Sequence, residues 1–190
     1  MAWIIIGLVL LVAFGPVFWL LPSKRDKRLS ALRQAARLAG LTVELRHLPK
    51  LNPEPEERVS AGGKVREPVI DCAAYSWNMT RKLRVLPELR LLRGTLGTTA
   101  LPGWVFDPKR KPRRDHVDLL LETLASFIET LPEDALGFEV SERQLVCYWQ
   151  ESPGSGVEVV SSMAAQMRRL GDDLNTVDEG LGEDYLDPDS

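Results

Sequence analysis

The chain has 190 residues, with 24 Lys and Arg against 27 Asp and Glu and 44% hydrophobic residues. That length suits one domain, or one domain with tails. Two cysteines, Cys72 and Cys147, and two histidines, His47 and His116, stand far apart without a CxxC or HxxxH element. This excludes a disulfide framework and gives no metal-ligand spacing, so the cysteines are expected as small buried hydrophobes.

From Ala2 to Leu21 there is no charged residue, and Lys24, Arg25, Lys27 and Arg28 follow at once. At about 1.5 Å per residue, a helix of this length matches a ~30 Å hydrocarbon core. The run therefore predicts a transmembrane anchor over residues 1–22. It is apolar all round, unlike a helix that lies on a core. No basic residue precedes it and bulky Trp19-Leu20-Leu21 ends it, unlike a cleaved signal peptide. Trp3 and Trp19 fall near its two ends, where indoles settle at the membrane interface. Pro16 removes a helical donor and predicts a kink. The basic flank predicts an N-terminus outside and a cytoplasmic body.

Ser23 is placed to cap a helix that reaches Ala39, with Leu29, Leu32, Ala36 and Ala39 on one stripe and Gly40 as its stop. This basic amphipathic helix, residues 23–40, is expected beside the bilayer. Its Lys24, Arg25, Lys27, Arg28, Arg33 and Arg37 would contact anionic lipid headgroups. Leu41 to Leu48 alternates, with Leu41, Val43 and Leu45 on one side, as a half-buried strand does. Pro49 to Gly63 reads as a loop. Gly62-Gly63-Lys64 lacks the longer glycine spacing and the following Ser or Thr of a phosphate loop.

One apolar span, then Pro22-Ser23-Lys24-Arg25-Asp26-Lys27-Arg28, a helix, a strand and Gly62-Gly63-Lys64-Val65 resembles the small accessory subunit of bacterial Sec translocases. The resemblance covers residues 1–65. It departs from that family at Ala39-Gly40-Leu41, where the family has a Gly-Asp step, and the body here is longer. The chain also resembles uncharacterised single-pass proteins of proteobacterial inner membranes. These resemblances imply a bacterial inner (plasma) membrane location and a role as an accessory subunit in protein export or another inner-membrane complex.

Val69 to Met79 reads as a strand, with a short helix as the alternative, and Glu88 to Arg93 as another strand; Leu101 to Phe106 sets an aromatic pair behind a Pro-Gly turn, with Trp104 expected in the core. Lys109 to Arg114 is a second basic cluster. It has neither interleaved aromatics nor a recognition module, so a solvated loop is expected, with lipid contact as the alternative, and nucleic acid is not an expected partner. A strong amphipathic helix follows from an Asp115 cap, through Val117, Leu120, Leu124, Phe127 and Leu131, to Pro132. Leu136–Val140 and Gln144–Trp149 form a hairpin, its second strand apolar on both faces and hence central. Glu139 and Glu151 flank this hairpin and are expected to face solvent. A last helix opens with Ser155 and Glu158 in capping-box spacing and closes with Arg168 and Arg169 in its last turn and Gly171 after it. Residues 172–190 carry eight acidic residues and no basic one, as a disordered tail does.

No nucleophile, base and orienting group come together in this pattern, so neither an enzyme nor a cofactor is expected; a membrane-tethered enzyme is the remaining alternative. The expected fold is α+β: one N-terminal transmembrane helix, then a cytoplasmic domain over residues 41–171 with an antiparallel sheet and two amphipathic helices. The expected function is a membrane-anchored protein-interaction module, an adaptor or scaffold, whose partners are the bilayer and an unidentified protein.

Overall fold

The computed structural model describes Trp3 and residues 23–60, 62–110, 112 and 115–184, with backbone only at 183 and 184. The elements, in chain order, are α1 (Lys24–Leu38), β1 (Thr42–Pro49), β2 (Val69–Asn78), β3 (Leu89–Arg93), β4 (Thr99–Leu101), β5 (Trp104–Phe106), α2 (Val117–Ile128), β6 (Ala135–Val140), β7 (Gln144–Trp149) and α3 (Val157–Asp184). A short 3-10 turn, Pro55–Arg58, interrupts the β1–β2 connection. The strands form one antiparallel sheet in the order β1-β2-β7-β6-β3-β5-β4. The β6–β7 hairpin thus lies inside the sheet, as its two apolar faces require.

The helices cover one face. Tyr75 and Trp77 of β2, Leu91 of β3, Phe138 of β6 and Cys147 and Trp149 of β7 meet Leu32 and Ala36 of α1, Leu120 and Leu124 of α2, and Val160, Met167 and Leu174 of α3. Each large side chain so buried is worth roughly 1.5–3 kcal/mol. The opposite face holds a smaller core of Leu48, Cys72, Ala74, Leu92, Val105, Val146 and Tyr148. A bulge at Ala135/Gly137 bends the sheet there. Leu48 of β1 reaches over β2 and β7 to Gly137 of β6. Its Cδ1 lies 3.2 Å, and Leu92 Cδ2 3.3 Å, from where a β-carbon on Gly137 would stand. Strands are spaced about 4.8 Å apart, so this reach requires a sheet curled toward its open face.

The expected fold class needs correction. The sheet carries three helices, and none among the described residues is long and apolar enough to cross a membrane. The longest, α3, has 28 residues, but its outer side carries Arg168, Arg169, Asp172 and Asp173. Its apolar side is spent on the sheet. The apolar run over residues 1–22 lies, Trp3 aside, outside the described residues. The transmembrane, single-pass, inner-membrane location expected from it is therefore not supported.

Helix α1 is part of the domain rather than a separate segment beside it, because Leu32 and Ala36 are buried against the sheet. It begins as expected: Ser23 Oγ accepts from the Asp26 amide and Asp26 reciprocates on the Ser23 amide. Helix α2 starts not at an Asp115 cap but after His116, which sits in the left-handed region at φ 67°. Helix α3 runs through Gly171 into the acidic segment instead of ending there. Leu174 is buried, and Asp178 binds the backbone of 84–86. The segment therefore has tertiary partners that composition does not reveal; residues 185–190 lie outside the described part.

Candidate interaction surface

Two clusters of buried charge stand out among the described residues. Glu139, on the open face of β6, is only 8% exposed. Its Oε2 accepts from Tyr148 Oη at 2.6 Å and from Arg90 Nε and Nη2 at 2.7 and 2.6 Å, and its Oε1 accepts from Arg110 Nη1 at 2.6 Å. Arg90 also pairs with the buried Asp107 at 3.2 Å. Burial alone would depress Arg90, but Glu139, Tyr148 and Asp107 outweigh it and hold the guanidinium charged. Burial and the bond to Glu139 push the Tyr148 phenol far up. Two cations and two carboxylates close on one another, clamping β3, β6, β7 and the 107–110 turn. Both oxygens of Glu139 are engaged, so the cluster supplies no open base.

The second cluster lies where β7 ends. Glu151, at φ 55° and also 8% exposed, accepts from Tyr75 Oη at 2.8 Å and Arg33 Nη2 at 3.0 Å. Arg28 donates to the backbone carbonyls of Glu151 and Ser152. Beside it, Asp134 accepts from Trp149 Nε1 at 2.6 Å and the Ser152 amide at 2.8 Å. The expectation that Glu139 and Glu151 face solvent is thus overturned. Each sits opposite an arginine from a distant segment, a pairing that spacing along the chain cannot show.

Of the basic residues assigned to headgroups, Arg28 and Arg33 are engaged in this second cluster. Lys24, Arg25, Lys27 and Arg37 stand exposed on α1. Trp3 is exposed, and Trp19 lies outside the described residues. In the second basic run, Lys109 pairs with Glu67 and Arg110 with Glu139, whereas 111, 113 and 114 lie outside the described part.

A cleft of about 330 Å³ opens on the curled face between Leu48, Leu51, Ile70, Leu92 and Leu136. Its cations are already committed. Lys50 Nζ pairs with Glu57 at 2.6 Å, and Arg93 donates to the carbonyls of Ala135 and Pro132 at 2.7 and 3.0 Å. No group of three or more His, Cys, Asp and Glu side chains placed to hold a metal occurs among the described residues. Cys72 and Cys147 are both free and buried, on opposite faces of the sheet. Burial pushes their thiols up to about 11 and about 12, which leaves them protonated and unreactive at neutral pH.

The outstanding surface is β1. Among the described residues it is an edge strand of eight residues, with β2 as its one paired neighbour. Its register sets Thr42 opposite Ser76 and Leu48 opposite Ile70, and the Lys50 amide continues it by donating to Pro68 O at 3.0 Å. In an antiparallel ladder such directly bonded pairs recur at every second residue. The even-numbered residues 42–50 therefore face β2, while Val43, Leu45 and His47 turn their N–H and C=O groups to the free edge. Leu45 is 72% exposed, against the expectation that it faces a core, because α1 covers only the start of the strand. Val69, on the same sheet face, is 55% exposed. Between them the His47 imidazole lies 2.7 Å from Asp71, both side chains in solvent. Opposite-face neighbours Glu44 and Arg46 pair at 2.5 Å, also exposed.

No family model, no curated protein and no solved structure matches the chain. The functional reading therefore rests on the geometry alone.

Proposed function

We propose that this protein is an interaction module that accepts a partner's strand at the free edge of β1. One observation carries the reading: a long edge strand with outward backbone groups at Val43, Leu45 and His47, and with Leu45 72% exposed. Natural sheets blunt such edges with charged side chains, lysine above all, with proline, bulges or a covering element; the two charges on β1, Glu44 and Arg46, pair with each other. Residues 42–48 contain no lysine and no proline, and their register with β2 is unbroken. Strand addition draws affinity from backbone hydrogen bonds and specificity from alternate side chains. The buried charges of the domain are satisfied internally, which favours binding over catalysis.

Replacing Leu45 by proline removes one outward N–H and leaves the β2-facing amides in place. Leu45→Lys keeps the backbone and charges the exposed position. Chemical crosslinking of the full chain in its native extract, followed by denaturing purification, is expected to yield adducts with the wild type. Both variants are expected to lose them while melting within a few degrees of it. Undiminished adducts with Leu45→Pro would refute the reading.

A further inference from the structure

The residues along β1 also indicate what pairs with it, an inference that rests on the strand-addition reading above. We infer that β1 pairs with β1 of a second copy of this chain, antiparallel and centred on Leu45. Three features of the strand fit this register together.

First, hydrogen-bond parity agrees. A two-fold axis through Leu45 sets Leu45 opposite Leu45 and Val43 opposite His47, joining only residues whose backbone groups point to the free edge. An axis between residues would set outward groups against groups already spent on β2; an axis on Glu44 or Arg46 keeps the parity but sets Glu44 against Glu44 or Arg46 against Arg46.

Second, charge agrees. The same axis sets Glu44 opposite Arg46 of the second copy, and Arg46 opposite its Glu44. Opposite charges across a ladder stabilise it, and like charges there do the reverse. The Glu44–Arg46 pair now made within one exposed strand becomes a four-charge arrangement across two.

Third, the apolar side chain agrees. Leu45, left uncovered by α1, meets its own copy at the centre. The pairing uses the strand from Thr42 to Leu48. It stops at Pro49, which has no N–H to offer Leu41 of the second copy. An interface of this kind is isologous and closes on itself as a dimer.

The test uses charge exchange on the full chain, dispersed in mild non-ionic detergent because of its apolar amino-terminal run. Glu44→Arg gives a strand with arginine at both positions, and Arg46→Glu gives one with glutamate at both. Donor- and acceptor-labelled samples are mixed, and energy transfer reads the association. Wild type with wild type is expected to transfer. Each single variant with itself is expected to lose transfer, and the two variants mixed together to regain it. The double variant, Glu44→Arg with Arg46→Glu, is expected to transfer as the wild type does.

Absence of transfer in the mixed pair, or in the wild type, would overturn self-pairing. So would undiminished transfer of Glu44→Arg with itself, which would place association elsewhere, for example in the apolar run. Loss of the crosslinked adducts in Leu45→Pro alongside absent transfer would identify a different protein as occupant. The edge reading would then stand and the second-copy inference would fall.

Discussion

Gly171 of α3 lies against the indole of Trp77 in β2 so closely that a β-carbon on it would overlap the ring, with Cη2 only 2.8 Å away. The glycine is where the long helix touches the sheet, and the helix runs on past it for another three turns and more.

Gly171→Ala is therefore expected to destabilise the protein. In an open helix the change gains about 1 kcal/mol. Forcing a methyl group into a packed ring typically costs about 1–3 kcal/mol, and the buried indole has little room to move. The net loss should be up to about 2 kcal/mol, read from denaturant melts. A more stable variant would show that the helix stands off the sheet.

Asp178, two turns further on, is expected to be worth more. Its Oδ1 accepts from the amides of Val85 and Leu86 at 2.8 and 2.7 Å, and its Oδ2 from the amide of Arg84 at 2.8 Å. Asp178→Ala removes a charged acceptor from three backbone donors, at a cost of roughly 2–4 kcal/mol. Asp178→Asn keeps one acceptor oxygen and should lose less. Equal stability of all three proteins would dismiss the role assigned to the acidic segment.

Much of the fold is legible from the residues. The β6–β7 hairpin, β2 and the apolar stripe of α2 show in periodicity, because their buried faces repeat every second or every three to four residues. The Ser23–Asp26 box shows because capping is local. What periodicity does not carry is who meets whom. Gly171 reads as a helix stop in isolation, and only Trp77, 94 positions earlier, makes it a packing glycine. Glu139 and Glu151 read as solvent-facing until Arg90 and Arg33 arrive from other segments. Leu45 fits the alternation of a buried strand face, and only the short reach of α1 leaves it uncovered. The exposed edge of β1 is therefore hidden in the sequence by a correct strand assignment with an incorrect burial.

Acid should weaken the molecule partly through Asp134. Burial opposes its ionisation, but the bonds from the Ser152 amide and the Trp149 indole prevail and hold the carboxyl below its ordinary 3.8. A depressed folded value means the contribution is present above 3.8 and is lost as pH falls through the lower folded value. Asp134→Asn should cost about 1–2 kcal/mol at pH 7, with the gap to wild type closing below pH 3.8. Thermal melts at pH 7, 5 and 3 check this, and a constant gap would contradict it.

The thiols give a probe of opening. Burial raises Cys147 from 9.0 to about 12, which cuts its thiolate about a thousandfold near pH 8. Its alkylation by iodoacetamide should therefore proceed only through unfolding, at a rate that rises with denaturant. Because the folded value is raised, the stability contribution is intact below pH 9 and is lost as pH climbs from 9 through 12. Rapid labelling in native buffer would refute the burial.

The most direct test of the edge reading is amide-resolved hydrogen exchange along β1 in the full chain, dilute and concentrated. Glu44 and Arg46 donate toward β2 and should be protected in both samples. Val43, Leu45 and His47 should exchange fast when dilute and become protected on concentration, as an added strand takes up their N–H groups. If these three amides exchange at the open rate in both samples and in the crosslinked adducts, the edge of β1 accepts no strand and the account is wrong.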